Sequence, residues 1–544
     1  MAAHGGAADS YYEQDQPQQQ QYGMQQPQAY SNGAYQPPQG QPEYPQPPPN
    51  YGGPQQKFNG GMNGGGTIEG KETFDQAFKI ERPKYNDIWA GVLLILTFLG
   101  FVAISGISIS GYSQNKSFNG GGIYNAGNEF SLNTNTVVLF AFVLVVALVL
   151  SWGYLTAARA FTKQFIWVTG ILHIVFGFAT AIYYFTQHYY SAAIVFALFS
   201  VFTVVCFISW IPRIPFSTLM LQTSIDVAKT TGHVFLISAV GGFLAFAFGA
   251  WHAVTLVSIY VKYQPSSNGQ TNPACGANGS GCSTAKVIGL IVFVTFAGYW
   301  ITEWLKNTLY TTVAGVYGSW FFCSNTPGGM PRGITRGALR RALTYSFGSI
   351  SFGSLVVAII NMIRQAVSIA QQQEAAQGNI VGELAFCCLG CIIGLLDWAV
   401  QYINRYAFSH IALYGKAYIP AAKDTWKMMK QRGIDALVND CLVGPVLTMG
   451  STFVAYVCAL LAYLYLQFTK PGYNSTGSYT PVAMAFSFLI GLQVCQIFMT
   501  PVGAGVDTIF VAAAWDPEVL MRDHPDLYAK MVAVYPKVQQ AIHA

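Results

Sequence analysis

Charge is what this chain lacks. Asp, Glu, Lys and Arg together supply only 9% of its 544 residues, whereas soluble domains carry about a quarter. A globular chain of this length could not cover its surface with so little, and a lipid surround removes that requirement. Other absences narrow the function. There is no Gly-rich Walker-type loop ending in Lys, so direct ATP drive is not expected. No nucleophile and base pair and no closed metal site stands out, so an enzyme, a cofactor and a bound metal are not expected. No repeated charged ring or filter motif marks a pore, and nucleic acid is not among the expected partners. The N-terminus is polar, without the apolar core of a cleavable signal peptide, so the first span must direct insertion.

Long apolar runs are what the chain has. A span needs about 20 mostly apolar residues to cross about 30 Å of hydrocarbon. Ten such runs occur, at 88–110, 136–156, 165–186, 190–210, 234–261, 286–305, 342–364, 384–403, 442–467 and 481–505. Their continuity, without ten-residue alternation, favours helices over a barrel. The fold class is therefore an all-α polytopic membrane protein, with a transmembrane domain over 88–514.

Basic residues set the expected topology. With the N-terminus inside, ten crossings return the C-terminus inside. The inner linkers then hold Arg159, Lys163, Arg213, Lys229, Arg332, Arg336, Arg340, Arg341, Arg405, Lys416, Lys423, Lys427, Lys430, Arg432 and the basic residues of the C-terminal segment 515–544. The outer linkers hold only Lys116, Lys262, Lys286 and Lys470, the asymmetry of the positive-inside rule. Three Asn-x-Ser/Thr sequons, at Asn115, Asn278 and Asn474, fall in outer loops, as glycosylation requires. Cys275 and Cys282 share one polar outer loop, where oxidising conditions favour a disulfide; two free thiols are the alternative.

Residues 1–70 are rich in Gln, Pro, Gly and Tyr, with hardly an aliphatic side chain, and are expected to be disordered and cytosolic. Within them Pro48-Pro49-Asn50-Tyr51 fits the PPxY pattern, whose prolines preset a polyproline ligand and whose tyrosine is a second anchor. A WW-domain ubiquitin ligase is the expected partner, a chance match the alternative. Segment 71–87, with Phe74, Phe78 and Tyr85 among charges, suits an ordered juxtamembrane segment lying along the inner interface before the first span.

Several runs in the second half then match a known family. Arg332-Gly333-Ile334-Thr335-Arg336-Gly337 is followed by Gly348-Ser349-Ile350-Ser351-Phe352-Gly353-Ser354. Cys387-Cys388-Leu389-Gly390-Cys391 is followed by Tyr402-Ile403-Asn404-Arg405, Ala412-Leu413-Tyr414-Gly415-Lys416 and Ala422-Lys423-Asp424. Val506-Asp507-Thr508-Ile509-Phe510 closes the set. In these motifs, concentrated between Trp320 and Phe510, the chain resembles choline transporter-like proteins, and its glutamine-rich tail is most similar to their fungal branch, the pH-nine-sensitive proteins. The resemblance implies a plasma-membrane secondary transporter of choline or a related small cationic amine, working by alternating access. The alternative is a non-transporting membrane scaffold or stress-response factor that recruits cytosolic partners.

The residues themselves supply candidate sites. An ionisable side chain inside a span costs about 2.5–3.5 kcal/mol on insertion scales and needs a partner or a cavity. Asp397 lies deepest in its run. Glu303 and Lys306, three apart, can neutralise each other on one helix face. Arg364 and Glu383 flank one outer loop and can pair, or snorkel to water; Asp507 follows the tenth span. A quaternary amine is held by aromatic faces and a carboxylate at longer range, so Trp300, Glu303, Trp304, Asp397, Trp398 and Tyr402 are the substrate-binding candidates. Lys306, Arg364, Glu383 and Asp507 are the candidates for gating or structural ion pairs. The stripe of Gly348, Ser349, Ser351, Gly353 and Ser354 permits close helix approach. Cys387, Cys388 and Cys391 fit packing better than metal binding. His173, His252 and His410 read as packed or interfacial before they read as a proton relay. Pro501, Gly503 and Gly505 are expected to weaken the helix at the end of the tenth span, by a break that lines a cavity or by simple termination.

Overall fold

The computed structural model describes Phe74 and residues 84–539, apart from 115–133, 187, 189, 232, 264, 268–269, 272–281, 378, 433–440, 471–479 and 537. In chain order the helices are α1 (Ile88–Gln114), α2 (Thr134–Ala160), α3 (Thr162–Thr186), α4 (Tyr190–Trp210), α5 (Ile214–Thr230), α6 (His233–Tyr263), α7 (Thr284–Cys323) and α8 (Ile334–Leu343). They continue with α9 (Phe347–Ala376), α10 (Ile380–Tyr414), α11 (Tyr418–Arg432), α12 (Val443–Thr469), α13 (Thr480–Trp515), α14 (Pro517–Asp523) and α15 (Pro525–Val534). A two-residue hairpin, Ser266–Ser267 against Gln270–Thr271, follows α6. Ten helical segments are long and apolar enough to cross a membrane, α4 and α5 counting as one bent segment, and each of the ten expected runs falls on one of them.

Helix is the only answer such runs allow in lipid, because every backbone N–H and C=O must be satisfied within the segment. Hydroxyls inside the spans hydrogen-bond back to their own helix, as Thr312 does to the Thr308 carbonyl (2.7 Å) and Ser354 to that of Ile350 (2.7 Å). Pro212 and Pro215 make the bend between α4 and α5, through a 3-10 turn at Ile211–Arg213. Asn379 caps α10 by accepting from the Gly382 amide, and Gly415 ends it with φ 66°.

Several helices outrun the expected spans. α7 has 40 residues, about 60 Å of helix at about 1.5 Å per residue, twice what the hydrocarbon needs. Its second half is sustained by packing rather than by lipid: Thr311, Thr312, Val313, Ala314, Val316, Tyr317 and Phe321 are all buried. The overlong ends of α7, α10 and α13 pack with the helices that the linkers concealed, α5, α8, α11, α14 and α15. They share one large core that includes Tyr317, Phe322, Leu413, Ile509, Leu520 and Met531.

α13 is the most enclosed span, packed against α2, α5, α6, α7, α10 and α12. The expected weakening at Pro501 is corrected here: α13 runs through it to Trp515. Tertiary packing outweighs the lost backbone bond. Ser224 of α5 donates to the Val502 carbonyl (2.8 Å), and the Tyr317 hydroxyl donates to the Ser224 carbonyl (2.7 Å). Gly505 makes this approach possible, since a Cβ there would overlap both the Tyr317 ring and the Ser224 hydroxyl.

The entry to α1 is fixed in the same way. The Asp87 carboxylate accepts from the Ser349 hydroxyl (2.7 Å) and the Tyr418 amide (2.8 Å), and the Asn86 side chain donates to the Gly415 carbonyl (2.8 Å). A side chain on Gly348 would overlap the Asn86 and Asp87 carbonyls. Small residues on α9 therefore let α1 begin against the turn that joins α10 to α11. Phe74 is buried beneath the Arg341 guanidinium, 4.5 Å from its ring centroid, and its amide donates to the Arg332 carbonyl (3.3 Å).

Candidate functional site

The sequence candidates fall into three settings. Trp300 is fully buried and donates its indole N–H to the Ser351 carbonyl (2.9 Å), binding α7 to α9. Trp304 packs edge-on to Phe347 on the same interface. Both are held by neighbouring helices, with faces that a solute would have to displace. Glu303 and Lys306 form the expected i,i+3 pair, 3.3 Å apart, with Lys306 exposed and Glu303 mostly covered.

Asp397 is buried, and its partner is Arg364: a guanidinium nitrogen lies 2.5 Å from one carboxylate oxygen, while the Gln401 amide donates to the other at 2.9 Å. The Arg364 and Glu383 pair expected across the outer loop is thereby corrected. Arg364 reaches Asp397 across the α9 and α10 contact, because a buried carboxylate draws a guanidinium more strongly than a solvated one does. Glu383 stays in the first turn of α10, where its charge complements the helix N-terminus.

Asp507 lies elsewhere, on the enclosed helix α13, and three elements converge on it. The Tyr310 hydroxyl of α7 donates to its carboxylate (2.7 Å) and stands 3.4 Å from Ser409 of α10, which is 3.3 Å from Thr508. Tyr406 also faces the carboxylate. Arg405 completes the cluster: the groups acting on it are Asp507, Tyr406, Tyr310 and Tyr402. On α10 the neighbours Asn404, Tyr406, Ala407 and Phe408 are buried, yet Arg405 is exposed. An exposed charged side chain in such company is expected to line a cleft between helices rather than to face lipid.

One stripe of α10 leads into this cleft. Trp398, Tyr402, Arg405 and Ser409 recur at helical spacing on a single face. Trp398 is exposed, Tyr402 half-buried, Arg405 exposed and Ser409 buried. The aromatic members are ordered against one another: Trp398 and Tyr402 stack at 5.7 Å and 20°, and Tyr402 meets Tyr406 edge-on at 5.3 Å. Aromatic faces, two hydroxyls, one carboxylate and one open guanidinium together can hold a small polar solute that carries an ammonium group.

On the far side of α10, Asn404 donates to the Gly353 carbonyl (3.4 Å) and accepts from the Tyr418 hydroxyl. Burial pushes that hydroxyl up to about 12, so it stays a donor at physiological pH and braces the helix that carries Arg405. Trp251 is tied to Ser105 (2.6 Å) and His252 to the Val294 carbonyl (3.1 Å), which makes both bundle-packing groups.

Of this cluster, sequence reasoning singled out Tyr402 and Asp507 and missed Tyr310, Tyr406 and Arg405 as site residues. The available signal was Arg405 itself, a basic residue among Tyr402, Tyr406, Ala407 and Phe408 that hydropathy assigns to the inner linker. Pro48, Pro49, Tyr51, Asn115, Asn278, Asn474 and Cys275 lie outside the described residues. Cys282 is not among the free thiols of the described residues.

Comparison with known proteins agrees with this architecture. The profile of a family described as plasma-membrane choline transporter matches residues 194–518, which include α7, α10 and α13. The chain is similar to Protein pns1 of Aspergillus fumigatus, 66% identical over 469 residues covering 86% of this chain and 87% of that protein. It is similar to Protein PNS1 of Gibberella zeae, 61% identical over 491 residues, 89% of this chain and 90% of that one. Protein PNS1 of Saccharomyces cerevisiae is 42% identical over 471 residues, 86% and 87% of the two chains.

Proposed function

The chain belongs to the choline transporter-like family, and we propose that it is a secondary transporter of choline or a related small amine, acting at the plasma membrane by alternating access. The observation that carries this reading is the cleft at Asp507, where Tyr310, Tyr402, Tyr406 and Arg405 meet between three spanning helices. A purely structural cluster would close over its charges, whereas here Arg405 stays exposed. Solute enters along the Trp398 and Tyr402 face of α10 and meets the carboxylate and hydroxyls at its base. The bonds from Tyr310 to Asp507 and Ser409 link α7, α10 and α13, so a solute that competes for them biases how these helices pack. The membrane potential supplies about 2.3 kcal/mol per charge per 100 mV to a cationic solute.

The alternating basic linkers support termini on the cytosolic side, with Asn115, Asn278 and Asn474 outside as glycosylation acceptors and Cys275 bonded to Cys282. The Pro48-Pro49-Asn50-Tyr51 motif supports recruitment of a WW-domain ubiquitin ligase that sets the carrier's abundance.

The test is uptake of radiolabelled choline by the purified protein in sealed liposomes under a potassium diffusion potential. Saturable, potential-dependent uptake that falls in Asp507→Asn supports the reading. Folded protein with an intact potential and no uptake above empty liposomes overturns it for choline.

A further inference from the structure

The charges of the cleft are not arranged for a bare cation. Asp507 and Arg405 cancel, and the two differ in what remains free. The carboxylate already accepts from Tyr310 at 2.7 Å and faces Tyr406. Arg405 is exposed, and among the described residues no side chain hydrogen-bonds its guanidinium, whose influences from Asp507 and the tyrosines are those of charge alone. The charge that meets an entering solute is therefore positive, with five N–H donors unfilled. One turn before Tyr310 on α7, Lys306 is a second exposed cation, paired at 3.3 Å with the mostly covered Glu303.

We infer that the preferred solute of this cleft is a zwitterion, whose anionic carboxylate or phosphate sits on Arg405 and whose ammonium sits against Tyr402 and its aromatic neighbours. The inference rests on the transporter reading above and narrows it. A guanidinium binds carboxylate or phosphate by two parallel hydrogen bonds, and an aromatic face binds an ammonium with about 0.5–2 kcal/mol. Both kinds of group are present on one face of α10. Tyr402 precedes Arg405 by three residues on that face, a rise of about 4.5 Å along the helix, so one small solute can reach both side chains. Trimethylglycine, in which a few bonds separate the two charges, presents both groups with no net charge; phosphocholine presents the same two ends with a phosphate of about −1.5 to −2 at pH 7. A cation alone would leave Arg405 unfilled and be repelled by it. A zwitterion satisfies both ends and adds no net charge to a site where unpaired charge is costly.

The experiment is uptake of choline, trimethylglycine and phosphocholine, each radiolabelled, by the full chain in liposomes, with Arg405→Gln and Arg405→Lys beside the wild type. At least one zwitterion is expected to enter with a kcat/KM tenfold or more above that of choline. Arg405→Gln is expected to lower the zwitterion-to-choline ratio by at least tenfold, and Arg405→Lys, which keeps the charge and loses the planar fork, by less. Choline preferred by the wild type, or a ratio unmoved in a folded Arg405→Gln protein, overturns the inference and leaves the transporter reading intact. Uptake of none of the three by folded wild-type protein overturns both. Thermal unfolding of the two variants shows whether the fold is kept; if Arg405→Gln does not fold, a ratio unmoved in Arg405→Lys counts against the inference.

Discussion

Asp397 and Asp507 both sit on spanning helices inside the bundle, and they differ in what neutralises them. Asp397 meets a guanidinium at 2.5 Å and an amide at 2.9 Å. Asp507 meets a tyrosine hydroxyl at 2.7 Å, while the exposed arginine beside it makes no side-chain hydrogen bond among the described residues. The first carboxylate is spent on joining α9 to α10. The second is held by a neutral donor on another helix, an arrangement that a solute can enter. Depth within an apolar run, which ranks Asp397 first, measures the cost of a charge and not its use.

The comparison breaks or holds on one pair of variants. Asp507→Asn keeps the shape and the hydrogen bond from Tyr310 but removes the charge that balances Arg405. Hydrogen bonds to charged groups contribute about 1.5–3 kcal/mol, so uptake is expected to fall by about ten- to hundredfold. Asp397→Asn leaves Arg364, which is half exposed, free to reach water, and uptake should stay within about twofold. Equal losses in radiolabelled uptake at equal amounts of folded protein would erase the distinction.

Breaking the Asp397 pair from its other side sharpens the contrast. Arg364→Ala strands a buried carboxylate, and removing one partner of a buried pair costs about 3–5 kcal/mol. The exposure of Arg364 places the expected loss near the lower end. Thermal unfolding in detergent should show a large drop for Arg364→Ala, and the double variant with Asp397→Asn should recover most of it. No recovery would mean that Arg364 stabilises the bundle through something other than Asp397.

Much of this architecture was legible in the sequence because lipid imposes one simple rule, an apolar run of fixed length, and all ten runs satisfy it. The Glu303 and Lys306 pair was legible because its spacing lies within one helix. The partners of Asp397 and Asp507 were not: Arg364 is 33 residues away and Tyr310 is 197, and no local pattern connects such distances. Nor were the far ends of α7 and α10. Beyond the bilayer, helix is sustained by buried polar residues such as Asn307, Thr308 and Ser409, which read as linker when hydropathy is the guide. Pro501 misleads for the same reason, since its surroundings are set by α5 and α7.

Tyr310→Phe tests the hydroxyl that separates the two carboxylates. It removes one donor from Asp507 and the contact with Ser409 without changing the ring. A hydrogen bond to a carboxylate contributes about 1.5–3 kcal/mol, but water in the cleft replaces part of it, so the expected loss in uptake is about fivefold to tenfold. Thermal stability should move little. A large stability loss with normal uptake would make Tyr310 a packing residue and remove it from the site.

A third carboxylate, outside the bundle, sets the scale for an ordinary one. Asp523 at the end of α14 accepts two hydrogen bonds from Arg522, at 2.8 and 2.9 Å, which hold its carboxyl below the usual carboxylate range. Its neighbour His524 donates from Nε2 to the Phe321 carbonyl (2.8 Å) and packs against the Trp320 and Phe321 rings, so α14 is fastened to the end of α7. A depressed folded-state pKa stabilises the protein above the unfolded value of about 3.9, and that contribution is lost as pH falls through the folded value. Because Arg522 is exposed, the effect should be below about 1 kcal/mol. Unfolding curves collected from pH 6 down to pH 3 should therefore show a small acid-side loss that Arg522→Gln reduces. Uptake near neutrality should be the same in both proteins, because Asp523 holds a helix in place where Asp507 holds a site.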